Sequence, residues 1–343
     1  MNILHVCNIE HENANGISGI VPQYVLHQSK YENVDLLNLR TNQKIDINKK
    51  YDLIIIHGVY EINTLIFFYR YIYKRYNYVF VPHGGLTKIS QMKSRRKKYI
   101  ANQILFKKFY KEAMAVQFLS ENEKQNSINI GNTRAIICSS GMDLPKERLY
   151  TVHNREEFIF VYIGRIDIFY KGLDLLLCAV SLVKDSMREN CAKIKIIGTN
   201  NDNNPLDELY KLISDNNLED IVSIDLTGRF GEEKKRELLD ADCFVQTSRS
   251  EGLPIGVLEA LSYGMPLAIT KPVGFVKLID KYKCGYYCEP TVEGIASMLV
   301  QTIENRTSLE DMSINAYAAA REFDWEYVTQ ETLTIYSELC QKE

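Results

Sequence analysis

The sequence alternates short apolar runs with longer segments of mixed polarity, and it does so in two series along 343 residues. The runs are rich in Val and Ile and apolar at successive positions, which is typical of parallel strands buried on both faces. Such alternation with helical segments predicts two doubly wound α/β domains. The twelve predicted strands are 2–8, 34–39, 52–57, 78–82, 115–119, 134–138, 158–163, 193–197, 222–225, 243–246, 266–269 and 285–288.

Composition excludes several other classes of protein. A hydrophobic share of 45% and a charged share of 25% exclude a disordered chain, a collagen-like chain and a coiled coil. No apolar run approaches the roughly 18 residues that span a bilayer, and the N-terminal run is too short for a signal peptide. The eight cysteines are scattered, so we expect reduced thiols in a cytoplasmic protein.

The formal net charge of −3 conceals an uneven distribution of charge. From Ile62 to Lys111 there are twelve basic residues and no acidic one, with Arg95, Arg96, Lys97 and Lys98 at the centre. A field of one sign attracts phosphates, nucleic acid or an anionic membrane. If 88–111 is one helix, Met92, Tyr99, Phe106 and Tyr110 form a single stripe, which either packs on the core or docks on a membrane surface.

The segment 248–261 carries the most specific pattern, with Glu251 and Glu259 eight positions apart. It predicts a strand that ends in a polar loop, followed by a Gly-Pro turn and a helix that closes at Gly264. Backbone N–H groups at the start of this helix can hold an anion. The two carboxylates can accept hydrogen bonds from a sugar and from a ribose. Alternatively, Glu251 caps the helix and Glu259 lies on the surface.

A second segment places two cations after a buried strand. Gly164 ends the strand, and Arg165 and Lys171 follow six positions apart. Arg binds a phosphate through two parallel hydrogen bonds, whereas Lys acts as a point charge. A leaving diphosphate needs such neutralisation because charge builds on it as its bond to the sugar breaks. Taken alone, the two cations would be surface residues.

The first domain offers weaker candidates. The loop after the first strand contains Gly16 and Gly19, which allow a backbone to approach a phosphate or sugar closely, or simply form a turn. His83 ends another strand and either contacts substrate or is structural, and His57 is a weaker candidate of the same kind. Asp240 and Asp242 match the DxD metal pattern, but we expect Asp242 to cap a strand junction and expect no metal.

Taken together, these segments resemble the retaining family 4 glycosyltransferases of the GT-B fold. The matching motifs are the GxxG loop at Gly16, the HG turn at His83, SGMD at 140–143, GR and KGLD at 164–174, the Glu pair at 251–259 and WE at 325–326. The sequence departs from the family at Ser139 and Ser140, where Pro-Asn is usual, which alters a turn.

The resemblance implies two Rossmann-like domains that face a central cleft. The acceptor-binding domain would be 1–150 completed by the last helix at 320–343, and the nucleotide-sugar domain would be 151–319. Arg165 and Lys171 would stabilise the diphosphate, Glu251 the donor sugar and Glu259 the ribose, while His83 would line the acceptor side. Further donor contacts would come from Gly16, Gly19, Gly164, Gly198, Arg229 and the 252–255 backbone.

The resulting expectation is a metal-independent retaining transferase, cytoplasmic and peripheral on the inner face of the cell membrane. It would move a hexose or N-acetylhexosamine from a nucleotide-diphosphate sugar, with UDP favoured over GDP, to a lipid-linked saccharide or surface glycan. The alternatives are a nucleotide-sugar epimerase and a non-catalytic protein that binds nucleotide sugars or membranes. We expect no nucleic-acid partner, because the basic segment matches no known nucleic-acid motif.

Overall fold

The computed structural model describes residues 1–9, 16–41, 49–92, 94–129, 131, 133–199 and 206–341. Within them the chain divides into two compact units, Met1–Gly141 with Phe323–Glu343, and Met142–Glu322. Each unit contains a six-stranded sheet in which the strands are parallel. The described part of the chain is therefore an α/β protein with two separate sheets.

The first sheet has the strand order β2-β1-β3-β4-β5-β6. Its strands are β1 (Asn2–Cys7), β2 (Asn33–Asn38), β3 (Leu53–His57), β4 (Tyr78–Val81), β5 (Ala115–Phe118) and β6 (Ala135–Ile137). The helices of this unit are α1 (Ile17–Gln28), α2 (Ile62–Phe67), α3 (Lys88–Met92), α4 (Arg95–Ile104), α5 (Lys107–Lys111), α6 (Glu121–Asn126) and α15 (Trp325–Gln341). A π-helical turn at Phe68–Ile72 extends α2.

The second sheet has the strand order β12-β11-β10-β7-β8-β9. Its strands are β7 (Phe158–Ile163), β8 (Ala192–Ile197), β9 (Val222–Asp225), β10 (Cys243–Gln246), β11 (Leu267–Thr270) and β12 (Gly285–Cys288). The helices are α7 (Leu173–Leu182), α8 (Lys184–Glu189), α9 (Leu206–Asp215), α10 (Gly231–Leu239), α11 (Ile255–Tyr263), α12 (Val276–Tyr282), α13 (Val292–Glu304) and α14 (Leu309–Ala320). Short 3₁₀ turns lie at Lys271–Val273, Arg306–Ser308 and Arg321–Phe323.

The core of each unit follows from the apolar runs in its strands. In β3 and β4 all nine residues are buried, as expected for strands covered on both faces. The last helix, α15, packs against α1 within the first unit and buries Trp325 and Tyr336. The Tyr336 hydroxyl donates to Oε1 of Gln117 on β5 over 2.6 Å, and a Cβ on Gly141 would lie 2.4 Å from the Trp325 ring. Close packing thus requires glycine at position 141.

Strand order also fixes where a ligand can bind. In a doubly wound sheet the crevice lies outside the carboxyl ends of two neighbouring strands whose connections leave in opposite directions. That point falls between β1 and β3 in the first sheet and between β7 and β10 in the second. In the first unit Gly16 follows β1 and His57 is the last residue of β3, and in the second unit Arg165 and Glu251 follow β7 and β10.

Candidate functional site

Glu251 is held by a convergent set of donors after β10. Its Oε1 accepts hydrogen bonds from Lys171 Nζ at 2.7 Å, Gln246 Nε2 at 2.7 Å and Ser248 Oγ at 2.6 Å. Its side chain is 11% exposed and that of Lys171 is 19% exposed. Oε2 accepts no hydrogen bond from any described residue, so one oxygen anchors the carboxylate and the other can serve a ligand hydroxyl.

The loop after β7 is clamped onto the loop after β10, and this brings Lys171 to Glu251. A Cβ on Gly172 would lie 2.1 Å from the Thr247 carbonyl oxygen, and Gly172 has φ +63°, so only glycine fits. Arg249 donates to both carboxylate oxygens of Asp174 at 2.7 Å and lies over the Phe169 ring. This fork-like pair adds orientation as well as energy.

Gly164 and Gly198 allow β7 and β8 to end in close contact. The Gly164 N–H donates to the Ile197 carbonyl over 3.0 Å, and a Cβ on Gly198 would lie 1.7 Å from the Gly164 carbonyl oxygen. Residue 198 must therefore be glycine. Arg165 follows at the sheet edge, is 50% exposed, and pairs with Asp167 at 3.3 Å.

Glu259 on α11 has a different cationic partner. It forms an ion pair with Lys234 of α10, whose side chain is only 9% exposed. Glu251 and Glu259 thus form ion pairs with different cations. Arg165 forms its ion pair with Asp167 and not with Glu251 or Glu259.

The start of α11 lacks a side-chain cap among the described residues. Pro254 is the N-cap residue, and the helix closes at Gly264 in the left-handed conformation. The alternative role of Glu251 as the cap of this helix is therefore wrong. The N–H groups of Ile255 and Gly256 precede the first intrahelical hydrogen bond and can face an anion, which the helix dipole favours. Leu253 and Gly252 lie in the loop immediately before.

Gly198 and Arg229, two of the predicted donor contacts, follow β8 and β9. A Cβ on Gly228 would lie 2.7 Å from Thr199, so the two loops touch. Arg229 donates to Asp225 over 2.7 Å and lies 3.6 Å from Glu237. Arg229 is therefore oriented by two carboxylates rather than extended into solvent.

In the first unit, Gly16 and Gly19 lie at the start of α1. Gly16 is exposed, has φ +89°, and forms the N-cap without a side-chain hydrogen bond. Its carbonyl accepts the Gly19 N–H over 3.2 Å, which makes Gly19 part of the first helical turn. The preceding residues of the predicted loop, 13–15, lie outside the described residues.

His83 has an unusual backbone and a buried partner. Its φ of +49° lies in the left-handed region, which is uncommon for a non-glycine residue. The buried carboxylate of Glu123 fixes this turn by accepting the N–H groups of Gly84 and Leu119. Burial raises the pKa of Glu123, and the two N–H groups oppose that shift. The Nε2 of His83 lies 2.9 Å from Nδ1 of the buried His57.

The basic segment does not form the single amphipathic helix that we considered. It is divided among α3, α4 and α5, with Ser94 in the left-handed conformation before α4. Met92 and Tyr99 are each 66% exposed, whereas Phe106 and Tyr110 are buried. The predicted four-residue stripe is thus wrong: its second half packs in the core and its first half faces solvent.

The four central cations have different environments. Arg95, Arg96 and Lys97 are exposed on α4. Lys98 is partly buried, donates to the Ser90 carbonyl over 2.6 Å and lies 5.2 Å from the centre of the Tyr60 ring. Three of the four cations are therefore presented to solvent, and the fourth also joins α4 to α3.

Asp242 has the structural role that we expected. Its Oδ2 accepts the Ile159 N–H over 2.7 Å and pairs with Arg155 at 3.0 Å. In the described part of the chain, no group of three or more His, Cys, Asp or Glu side chains is arranged to hold a metal ion. None of the described helices combines the length and apolar character needed to cross a membrane.

Several of these residues carry no motif in the sequence. Gln246, Ser248 and Arg249 lie within or beside the Glu251 pattern, and their proximity to Glu251 was their only signal. Lys234 lies in an ordinary charged helix, so nothing in the sequence links it to Glu259. Their roles depend on contacts between distant segments.

Comparison with known proteins identifies the class. Residues 145–319, half of the chain, match the family model for glycosyl transferases group 1. The chain therefore belongs to the glycosyl transferases group 1 family. It is 28% identical to the sulfoquinovosyl transferase SQD2 of Arabidopsis thaliana over 179 residues, which make up 51% of this chain and 32% of that protein. The match thus spans about a third of the relative's length.

Solved structures share the fold over nearly the whole chain. Sucrose-phosphate synthase of Thermosynechococcus elongatus is 15% identical with a TM-score of 0.77, and the match covers 100% of both chains. HepE of Anabaena in complex with UDP-glucose is 18% identical with a TM-score of 0.72, covering 98% of this chain and 100% of the other. The predicted GT-B class of α/β fold is confirmed.

Proposed function

We propose that this protein is a retaining, metal-independent glycosyltransferase that uses a nucleotide-diphosphate sugar, with UDP as the nucleotide. The observation that carries the proposal is the anchored Lys171–Glu251 pair at the switch point between β7 and β10. A strand-end crevice of this kind is where doubly wound sheets bind nucleotides. Membership of the glycosyl transferases group 1 family and the likeness to HepE, whose structure contains UDP-glucose, support it.

The donor end of the reaction uses residues of the second unit. Arg165 and Lys171 neutralise the leaving diphosphate, together with the free N–H groups at the start of α11. Glu251 accepts hydrogen bonds from hydroxyl groups of the transferred hexose or N-acetylhexosamine through its free Oε2. Glu259 accepts hydrogen bonds from the ribose. Gly164, Gly198 and Arg229 line the nucleotide.

The chemical step that we propose retains configuration at the anomeric carbon. The bond from that carbon to the diphosphate oxygen breaks, and the acceptor oxygen bonds to the carbon on the same face. The acceptor proton passes to the departing diphosphate. A covalent intermediate would need a carboxylate nucleophile beside the anomeric carbon. We assign that role to none of the described carboxylates. Glu251 is anchored as a hydrogen-bond acceptor, and the other carboxylate near Arg165 already has a partner. Asp167 pairs with Arg165.

The acceptor that we propose is a lipid-linked saccharide or surface glycan, reached from an anionic membrane surface. On α4 the cations Arg95, Arg96 and Lys97 are exposed beside Ile100, which is 57% exposed, and Ile104, which is 69% exposed. Cations with exposed apolar side chains on one helix are typical of a membrane-surface element. His83 lines the acceptor side. In this proposal the protein works at the inner face of the cell membrane without a resident metal.

A ligand screen followed by one substitution tests the proposal. A bound ligand raises the apparent melting temperature, so UDP or UDP-sugars should stabilise the protein more than GDP or GDP-mannose. Arg165→Ala should reduce sugar transfer by about a hundredfold, as loss of a leaving-group contact does. Arg306→Ala, at an exposed site in the same unit, is the control and should leave transfer unchanged.

Three outcomes would contradict the proposal. Near-normal transfer by Arg165→Ala would remove the assigned leaving-group role. Donor turnover at full rate without any acceptor, yielding an isomerised nucleotide sugar, would indicate an epimerase. Absence of stabilisation by every nucleotide and nucleotide sugar would leave no donor site.

A further inference from the structure

Three histidines form a continuous hydrogen-bonded chain across the first sheet, in which His5 and His57 are buried and His83 is partly exposed. His5 Nδ1 lies 2.8 Å from His57 Nε2, and His57 Nδ1 lies 2.9 Å from His83 Nε2. Register explains the chain: His5 pairs with Ile55 on β3, and His57 pairs with Val81 on β4. His57 thus lies two residues after Ile55, and His83 lies two residues after Val81. Because alternate residues of a strand share a face, the three rings lie on the same side of the sheet. The chain climbs diagonally to the carboxyl edge.

The far end of the chain is closed by an amide. Gln28, the last residue of α1, is 1% exposed, and its Oε1 lies 2.9 Å from His5 Nε2. An amide oxygen only accepts, so His5 carries its proton on Nε2 and its Nδ1 accepts from His57 Nε2–H. By the same logic His57 Nδ1 accepts from His83 Nε2–H. The proton order along all three rings follows from the one oxygen of Gln28.

We propose that Gln28, His5 and His57 are positioning residues that fix His83 in the Nε2–H tautomer, so that its Nδ1 is a dedicated acceptor for a substrate hydroxyl. No hydrogen bond among the residues that the structure describes uses His83 Nδ1. A polyhydroxylated ligand supplies the matching donors. The identity of that ligand rests on the proposed transferase function, whereas the tautomer does not.

Three further observations show that the chain is built as a neutral, rigid unit. Burial lowers the pKa of His5 and of His83 to about 4. Burial and then the two neighbouring rings lower the pKa of His57. Tyr24 stacks with His5 and His57 at centroid distances of 6.2 and 6.0 Å. Neutral imidazoles have one donor and one acceptor each, as a directional chain requires.

One polar atom defines the competing arrangement. Nε2 of Gln28 is buried and has no hydrogen-bond partner among the described residues, which carries the cost of an unpaired donor. Rotating this amide by half a turn would make Nε2 the donor to His5 and would reverse every bond of the chain. His83 would then present an Nδ1–H donor instead of an acceptor. The two arrangements differ in the proton position on all three rings.

Ring-nitrogen NMR of the full-length protein with ¹⁵N-labelled histidine at pH 7.5 decides between them. We expect His5, His57 and His83 each to be protonated at Nε2, with the unprotonated shift at Nδ1. Protonation at Nδ1, or averaging between the two forms at His83, overturns the proposal. This measurement needs no substrate and no variant, so it is independent of the proposed function and of whether a variant folds.

Two substitutions at position 28 then test whether Gln28 sets the tautomer of His83. Gln28→Met removes the acceptor at similar volume and should release the His83 tautomer into a mixture, with kcat for transfer from UDP-glucose reduced about tenfold and UDP affinity unchanged. Gln28→Glu keeps an acceptor oxygen and should retain the tautomer and most of the activity. A locked His83 in Gln28→Met would overturn control by Gln28. His153→Gln, in the second unit, is the matched control.

The two proposals fail in distinguishable ways. If Arg165→Ala transfers sugar normally while the histidines are protonated as expected, the transferase assignment fails and the histidine chain stands. If Arg165→Ala is inactive but His83 carries its proton on Nδ1, the proposed histidine chain is refuted and the transferase assignment stands.

Discussion

At the scale of single residues, three cations in or beside the candidate donor site have carboxylate partners within their own unit. Arg165 pairs with Asp167, Lys171 with Glu251 and Lys234 with Glu259. Motif spacing identified Arg165, Lys171 and the two glutamates as candidates. The pairings of Lys171 and Lys234 could not be predicted from the sequence. Lys171 lies 80 positions from Glu251, and Lys234 lies 25 positions from Glu259, so each pair meets only in the folded sheet.

The Lys234–Glu259 pair gives a prediction that separates stability from binding. Glu259→Ala should lower the free energy of unfolding by about 2 kcal/mol, because it leaves the nearly buried Lys234 without a partner. It should also weaken UDP binding about tenfold through the lost charged acceptor. Lys234→Met keeps the packing volume and should leave UDP affinity within about threefold. Urea unfolding and calorimetry with UDP measure the two effects.

Comparing the two variants identifies the cause of any loss. If both weaken UDP equally, Glu259 acts through the ion pair and does not hold the ribose. If Glu259→Ala leaves UDP affinity unchanged, its assignment to the nucleotide is wrong.

At the scale of elements, strands were predicted better than the basic helical region. The predicted ranges 158–163, 222–225, 243–246 and 285–288 coincide with β7, β9, β10 and β12. Buried parallel strands have a strong local signature because both faces are apolar. The region 88–111 was misjudged because its apolar spacing fits one helix, whereas the chain turns near Ser94 and Leu105. Of the residues of this region that the structure describes, only Phe106, Phe109 and Tyr110 are buried.

The exposed face of α4 predicts the salt dependence of membrane binding. Replacing Arg95, Arg96 and Lys97 with Gln should release the protein from vesicles of phosphatidylglycerol and phosphatidylcholine at about 0.15 M salt, because screening weakens what attraction remains. Replacing Ile100 and Ile104 with Ser should reduce binding even at low salt, since apolar insertion is insensitive to screening. Vesicle pelleting measures both.

The control for this prediction lies in the second unit. Replacing the exposed cations Lys211, Lys277 and Arg306 with Gln removes the same charge and should leave vesicle binding nearly unchanged. Equal loss of binding from both triple variants would indicate general electrostatic attraction rather than a docking helix. Binding that survives the α4 substitutions would refute the membrane-surface role.

At the scale of the whole molecule, the buried histidines tie folding stability to pH. Unfolded histidines titrate near pH 6.5, whereas the pKa of folded His5 is about 4. Between these values the unfolded chain binds more protons, so stability is full above pH 6.5 and is lost as the pH falls towards 4. For each such histidine the loss between pH 7 and pH 5 should be about 2 kcal/mol.

Urea unfolding at pH 7 and pH 5 checks this expectation. His57→Gln should flatten the pH dependence relative to the parent, because it removes a histidine whose folded pKa is lowered by burial and by the two neighbouring rings. His153→Gln is the control and should leave the slope as it is. Equal stability of the parent protein at both pH values would contradict the neutral histidine chain.

The sequence by itself determined the parallel strands, the α/β class and the motif residues of the second unit, because burial on both faces and functional loops at strand ends leave local patterns. Only the tertiary structure decided which side chains meet. The three donors on Glu251, the partner of Glu259 and the chain from Gln28 to His83 each join different elements. Strand order and register set those distances, and neither is encoded in any single segment of the chain.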